Sequence, residues 1–479
     1  MTPTASKHPP SLRVFFATEM WERYGFYVVQ SLLALYMALH FKWQDQHIYA
    51  LVGSFTAMTY LSPIIGGWIA DNLLGQKNTI IVGTITLFFS YLSLAFVSSD
   101  HALMLVLASI PVGTGLLKPN ISSLLGNAYP PDSPQRESGF TIFYMGITTG
   151  IILGTTLPSQ INIWFGWSVS FASAAFGMVI AFSVFVLGIR RYKIADYHPF
   201  EYKHGKLLNA ALLIVGLWGA SFCVLYFPWL ANLAFTGIIL LSLAYLITTA
   251  SRESPKQSRQ TIVIGLLCII SVMFWAFYFQ MFMSLTLFLS RVVEPTLFGF
   301  PFPPPYYIGV QSVGMLIFGF FLSRKHSHLS CEQSGINTGN KFMMAMLFMV
   351  MAYTLITFVC RESYGTALLS PLLFIPAYLM ISIAELLLSP VGLSAITILA
   401  SRRKVSTMMG IFFVSLGIGG FLSGKLASLT AINPDNMSMP ELKIHYAQTF
   451  TQLLCVLVIA TIVSWVLNWV IKWMLQRSL

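Results

Sequence analysis

The chain has 479 residues, 56% hydrophobic and only 9% charged, with a net charge of +11 and a mean hydropathy of +0.75. A soluble domain is about a quarter charged, so this chain cannot cover a water-facing surface and the soluble globular class is excluded. Apolar runs near the ~20 residues that a bilayer-spanning helix needs recur from end to end, which makes the fold class all-α and polytopic, with the lipid bilayer as its solvent.

Fourteen spans are predicted, over residues 14–40, 49–72, 78–98, 102–124, 138–160, 167–190, 208–227, 230–250, 260–290, 304–323, 341–360, 367–395, 405–430 and 446–475. Residues 1–13 are polar and basic. The apolar segment behind them is too long for a signal h-region and lacks a small-residue cleavage site, so it is expected to be the first span. The seventh and eighth spans are joined by a tight "FPWL" turn and carry no internal charge, whereas spans 1, 4, 12 and 13 do. That suggests a hairpin inserted between two six-helix halves: 1–192 an N-terminal bundle, 193–258 the hairpin with flanking cytoplasmic loops, and 259–479 a C-terminal bundle. "SRKHSHLSCEQSGINTGNK" (323–341) is the longest clearly polar loop.

The basic residues orient the chain. With both termini cytoplasmic, four of the 27 Lys and Arg fall outside (Lys42, Arg291, Arg361, Lys443) and three inside spans (Arg23, Lys118, Lys425). The rest lie on cytoplasmic segments, among them Arg190, Arg191, Lys193, Arg252, Lys256, Arg259, Arg402, Arg403 and Lys404. This is the positive-inside pattern. The net positive charge therefore reflects topology and implies no nucleic acid partner.

The charges inside spans carry the functional signal. In "TEMWERYGFYVVQ", Glu19, Glu22, Arg23, Phe26, Tyr27 and Gln30 recur at helical spacing and make one stripe. An ionisable group at membrane depth costs about 2.5 kcal/mol or more, so such groups face a protein interior or a wet cavity. Two carboxylates beside one guanidinium can share protons, where an inert salt bridge needs only one carboxylate. Lys118 sits in "GTGLLKPN": Gly113 and Gly115 permit close helix approach, and Pro119 loosens the helix. In "AYLMISIAELLLSPVGL", Tyr378, Ser382, Glu385 and Ser389 form a second polar stripe before Pro390 and Gly392. A cation in one half and a carboxylate in the other would suit a ligand with a charge at each end. Lys425, in "GFLSGKLAS", is better explained by snorkelling or packing.

At these residues the chain resembles a family. "EMWERYGFY" looks like the E-x-x-E-R-F-x-Y-Y signature of the proton-dependent oligopeptide transporters of the major facilitator superfamily. "YLSPIIGGWIADNLLGQKN", "GTGLLKPNISSLLGNAY", "FYMGITTG", "FWAFYFQMFMSLTLF", "AELLLSPVGLSAITILA" and "MMGIFFVSLGIGG" resemble further motifs of that family, in order and at the right spacing. The inserted hairpin fits bacterial members. The resemblance implies a major facilitator fold of two six-helix bundles plus the hairpin, alternating access about a midplane site, and proton-driven import of di- and tripeptides across the bacterial inner membrane by a monomer that needs no cofactor. It places proton coupling on Glu19, Glu22, Arg23 and Lys118. It places the peptide carboxylate near Arg23, Tyr27, Tyr60 and Lys118, and the peptide amino group at Glu385 with Ser389 nearby. Trp275, Gln280 and Phe412 would shape side-chain pockets, with Thr148 also lining the site. Asp71 would act in a cytoplasmic gate; a simple helix end is the alternative there.

Departures from the family pattern bear on specificity. Thr148 stands where the family often has Asn, and Phe26 replaces the first tyrosine of the signature pair. Phe277, Tyr278 and Phe279 occupy a stretch that is acidic in some members. Gly314-Met315 replaces Asn-Pro, and Phe412 replaces a Trp. These leave a more apolar, aromatic pocket. A proton-coupled transporter of an amino acid, a peptide-like drug or a metabolite therefore stays in view. A membrane enzyme is a third reading with little behind it. The nine His are dispersed, and no HExxH, phosphate loop or Ser-His-Asp set appears. The five cysteines show neither disulfide nor metal spacing, so no metal is expected.

Overall fold

The structure is a computed structural model that describes residues 8–130, 135–196, 203–322, 331–363, 365–401, 404–432 and 437–476. Arg402 and Arg403, used above to assign sides, lie outside the described residues, as does the 323–330 part of the polar loop.

Two compact units are present. The first is built from α1 (Leu12–Leu39) up to Leu33, α2 (Asp45–Ile69) from Met58, α3 (Gln76–Leu94), α4 (Asp100–Asn127), α5 (Gln135–Phe165), α6 (Trp167–Tyr192) and α7 (His204–Tyr226). The second takes Ala34–Ala57 together with α8 (Pro228–Ser251), α9 (Pro255–Tyr278), α10 (Ser284–Val292), α11 (Pro305–Leu322), α12 (Cys331–Arg361), α13 (Ile375–Leu399), α14 (Val405–Ala427) and α15 (Met439–Gln476). Twelve helical segments are long and apolar enough to cross a bilayer. The charge-bearing α1 and the shorter α11 bring the described spans to the fourteen expected. Large apolar side chains stand exposed along them, such as Phe176 (64%), Leu241 (72%) and Trp469 (62%). In water such a surface would aggregate; in lipid it is the solvated face.

The helices of the 193–258 segment divide between the units. One residue, Phe227, separates α7 from α8. In the first unit α7 packs on α4, where the Trp218 indole donates to the Leu105 carbonyl (3.3 Å) and Tyr226 stacks on His101. In the second unit α8 packs on α9, and Phe235 meets Phe421 at 4.5 Å between ring centroids.

Several boundaries differ from expectation for one reason: hydropathy detects the bilayer, and helices continue past it. The polar stretch 331–341 is the first part of α12 and no loop. The second helix starts at Asp45 and ends in a π-turn, Ala70–Leu74. The span expected at 260–290 is broken. Between α9 and α10 the chain makes a 3₁₀ turn, Phe279–Phe282, and Met283 takes φ −129°, ψ −100°. The span expected at 367–395 begins as a helix only at Ile375, after a 3₁₀ turn at Pro371–Leu373.

Close helix approach in the first unit follows from chemistry around Pro119. Proline has no N–H to give the Gly115 carbonyl one turn back. The second helix closes on that carbonyl at Gly66, and a Cβ on Gly115 would lie 2.7 Å from Ser62. Asn120 restores a bond across the crossing: its amide donates to the carbonyls of Leu116 (2.7 Å) and Gly66 (3.3 Å). Gly150 of α5 plays a similar part against α1, where an added Cβ would meet the Met20 carbonyl and lie 2.8 Å from the Arg23 Cβ. Gly150→Val is therefore expected to overpack this crossing, at a cost of about 1–3 kcal/mol or more, read as a lower unfolding midpoint in detergent.

In the second unit Arg291, at the end of α10, makes a bidentate pair with Asp45 (2.7 and 2.8 Å) and donates to the Tyr446 hydroxyl (3.0 Å). The Ile432 N–H donates to the same carboxylate (3.1 Å). Asp45 is 1% exposed. Removing one partner of a buried pair leaves an uncompensated charge, which costs about 3–5 kcal/mol. Asp45→Ala should lower the unfolding midpoint accordingly, and Asp45→Ala with Arg291→Met should recover part of the loss; no recovery would show that the charge was not the cause.

Candidate functional site

The first unit buries a charged cluster on α1. Glu19, Glu22 and Arg23 are 1%, 0% and 4% exposed. The Arg23 guanidinium donates to both oxygens of Glu22, Nε to Oε2 at 2.5 Å and Nη2 to Oε1 at 2.6 Å. Its Nε also lies 3.6 Å from Glu19 Oε1, while Glu19 Oε2 is buried with no hydrogen-bond partner among the described residues. The guanidinium sits over the Phe26 ring, 4.9 Å from its centroid. One cation therefore serves two carboxylates, with one of the two held more loosely.

Lys118 faces the same field from α4. Its ammonium makes no ion pair among the described residues and lies 5.2 Å from the centroid of the Tyr60 ring. A cation over an aromatic face retains a modest attraction, about 0.5–2 kcal/mol, and remains available to an incoming anion. Tyr27 is half-buried beside Phe26, ring edge to face. Thr148 is buried on α5, but its hydroxyl donates to the Tyr144 carbonyl of its own helix (3.2 Å). Asp71 is exposed on the π-turn that ends the second helix.

The second unit holds Glu385 on α13. Two neutral donors converge on one of its oxygens: the Tyr278 hydroxyl at 2.8 Å and the Gln311 amide at 2.6 Å, both to Oε2. No cation pairs with this carboxylate among the described residues, and Oε1 is left for another donor. One turn back, Ser382 is buried and donates to the carbonyls of Gln311 (2.6 Å) and Tyr378 (3.0 Å). This ties α13 to α11 beside Gly314, where a Cβ would lie 2.5 Å from the Ser382 hydroxyl. The glycine at 314 is thus what lets α11 bring Gln311 to Glu385. Ser389 is half-buried one turn after Glu385, ahead of Pro390.

The expected pocket-shaping residues differ in kind. Trp275 is 3% exposed, packs against Tyr278 and Phe279, and has a buried indole N–H without a partner among the described residues. Phe412 is buried where α14 meets α13, with its ring tip against Gly392. Gln280 is committed to the fold. Its amide donates to the Ser423 carbonyl (2.8 Å) and hydroxyl (3.0 Å), and its oxygen accepts from Ser284 (2.5 Å). With both ends used, it ties the α9–α10 break to α14. Lys425 is exposed and lies over Phe421 (5.5 Å).

Tyr278 entered the sequence reading only as a departure from the family pattern, and Gln311 was not singled out; a carboxylate inside a span without a cation is the signal that calls for such donors.

Ionisable side chains at membrane depth mark ion and substrate pathways. A fourteen-span helical protein that carries them inside both of its units is a secondary transporter. The chain belongs to the POT family, whose profile matches residues 77–442. It is similar to dipeptide and tripeptide permease A of Erwinia pyrifoliae, 28% identical over 455 residues that cover 94% of this chain and 91% of the relative. It is likewise similar to the protein of that name from Proteus mirabilis, 29% identical over 462 residues covering 94% and 92%. Among solved structures, a bacterial homologue of the human drug peptide transporters PepT1 and PepT2 superposes with a TM-score of 0.84 at 24% identity, covering 98% of both chains. Tetrameric PepTSo2 does so with a TM-score of 0.82 at 24% identity, covering 95% of this chain and 97% of the other. These likenesses show that the chain has the fold of those solved transporters.

Proposed function

We propose that this multi-pass membrane protein is a proton-coupled symporter that imports di- and tripeptides by alternating access. The observation that carries the reading is the α1 cluster: two carboxylates on one guanidinium, one of them held only at 3.6 Å, with the Lys118 ammonium in no ion pair among the described residues. A proton arriving there has a carboxylate to neutralise, and neutralisation frees positive charge for a substrate carboxylate. Arg23, Lys118, Tyr27, Tyr60 and Thr148 take that end of the peptide. Glu385 takes the peptide ammonium on its open oxygen, with Ser389 beside it. Trp275 and Phe412 bound the side-chain space, and Gln280 holds the helix break behind Trp275. Asp71 acts at the cytoplasmic gate. The protein lies in the bacterial inner membrane with both termini cytoplasmic and works as a monomer, without cofactor or enzymatic step. Family membership and the names of the relatives support the peptide.

A second reading, proton-coupled transport of an amino acid or peptide-like compound, draws on one observation. Thr148 bonds its own helix and residue 314 has no side chain, so two positions lack an amide donor for a peptide bond. Uptake of labelled dialanine into proteoliposomes under an imposed inward proton gradient tests the first reading. A competition panel of dipeptides, amino acids and blocked peptides separates it from the second. Absence of gradient-driven dialanine uptake, with uptake of an amino acid instead, would transfer the assignment.

A further inference from the structure

Tyr91, on α3, belongs to no part of the reading above. Its ring is fully buried, and its hydroxyl has no hydrogen-bond partner among the described residues. Buried hydroxyls are rarely left so. The ring packs on Gly25 of α1, where an added Cβ would lie 2.8 Å from the Tyr91 Cε2. Gly25 is one turn from Glu22 on the same helix, and side chains three apart share a face. Helix α6 closes the junction, with the Ala174 carbonyl 3.4 Å from that same point. The charged groups on the elements around this ring are few, and α3 itself carries only Lys77, in its first turn. Glu22 and Arg23 of α1 act on the hydroxyl electrostatically. Glu19 and Arg13 lie further along α1. Helix α4 carries Lys118, with Asp100 at its start, and α6 carries only Arg190 and Arg191 in its last turn.

An ionised Glu22 needs no help from Tyr91, because Arg23 occupies both of its oxygens. A protonated Glu22 is different. The carboxylic acid has one O–H donor and a carbonyl oxygen that is no longer a partner for a bidentate guanidinium. A neutral donor suits that oxygen, and Tyr91, packed on Gly25 of the same helix, is a buried donor with no other partner among the described residues.

We propose that the Tyr91 hydroxyl is the hydrogen-bond partner of the Glu22 carboxyl in its proton-loaded form. Tyr91 keeps its own proton throughout: the transported proton resides on Glu22, Arg23 stays a guanidinium, and Tyr91 donates one hydrogen bond to the acid's carbonyl oxygen. It is a positioning residue that gives the neutral state of Glu22 a place to rest. This rests on Glu22 as the proton site of the proposed symport, and the test is built to separate the two.

Infrared difference spectra of the purified full chain, titrated through acid pH, report the C=O stretch of protonated carboxyls without any substrate. The band lost in Glu22→Gln is that of Glu22. In Tyr91→Phe, which keeps the ring, this band should move to higher wavenumber because its hydrogen bond is gone. Should the variant melt early, ring-labelled tyrosine in the unsubstituted chain gives the same answer, since the phenol bands must change in step with the Glu22 band. A Glu22 band unmoved by Tyr91→Phe, or phenol bands silent through the titration, overturns the proposal. In proteoliposomes, Tyr91→Phe should lower uphill dialanine uptake on the order of tenfold and leave exchange at equal concentrations intact. Adding it to Glu22→Gln should change nothing further. Full uphill uptake in Tyr91→Phe also overturns it. If the unsubstituted chain moves no dialanine, the symport reading fails while the infrared result still decides Tyr91.

Discussion

Glu22→Gln should abolish uphill, gradient-driven uptake and spare exchange of substrate across equal concentrations. The amide copies the shape of the protonated acid and removes the ability to lose the proton. It also leaves one oxygen to accept from Arg23 where there were two, at 2.5 and 2.6 Å. An uncompensated buried charge would cost about 3–5 kcal/mol, but Glu19 stands 3.6 Å from the same guanidinium with a second oxygen unpartnered. A small rotation lets Glu19 take over as counterion, so the protein is expected to fold and to cycle with its load, uncoupled from protons. The comparison is labelled dialanine uptake against counterflow in the same vesicles. Full uphill uptake would remove Glu22 from the coupling role, and loss of both modes would make the pair structural.

The charges inside the spans were legible in the sequence because lipid makes them conspicuous. Glu19, Glu22, Arg23, Lys118 and Glu385 are interruptions in apolar runs, and helical spacing was enough to group the first three on one face. The close approach at Gly113 and Gly115 was legible for the same reason, since small residues beside a proline leave room that a neighbouring helix fills. What each charge touches was not legible. Tyr278 reaches Glu385 from 107 residues away and Gln311 from 74, and no local period encodes such a meeting. Arg291 counted only as a loop-side cation until Asp45, 246 residues distant, appeared as its bidentate partner. The resemblance put Gln280 beside a side-chain pocket; its hydrogen bonds to Ser284 and to Ser423, 143 residues away, across the break between α9 and α10 were not legible. The start of α12 at Cys331 was missed because its first turns are polar; once a helix leaves the lipid, hydropathy no longer follows it. The hairpin's division between the two units was hidden as well, since two uncharged apolar helices joined by "FPWL" carry no mark of which neighbour each one prefers.

Glu385→Gln should weaken free dipeptides about ten- to a hundredfold and leave N-acetylated dipeptides nearly unchanged. The site is arranged so that this substitution changes charge and little else. Tyr278 and Gln311 both donate to Oε2, and the glutamine oxygen can accept both bonds, keeping the side chain where it is. The position held by Oε1 then becomes an amide NH₂, which repels an ammonium where the carboxylate attracted it. A hydrogen bond to a charged group is worth roughly 1.5–3 kcal/mol, which sets the expected factor. An acetylated peptide has no ammonium to lose, so its inhibition of labelled dialanine uptake should hold in both proteins. Matched free and acetylated pairs, measured as inhibitors of the unsubstituted chain and of Glu385→Gln, give the comparison directly. If the two members of a pair weaken equally, Glu385 does not hold the amino group. Its two neutral donors would then be structural satisfaction of a half-buried carboxylate, and the amino end of the substrate would have to be sought elsewhere.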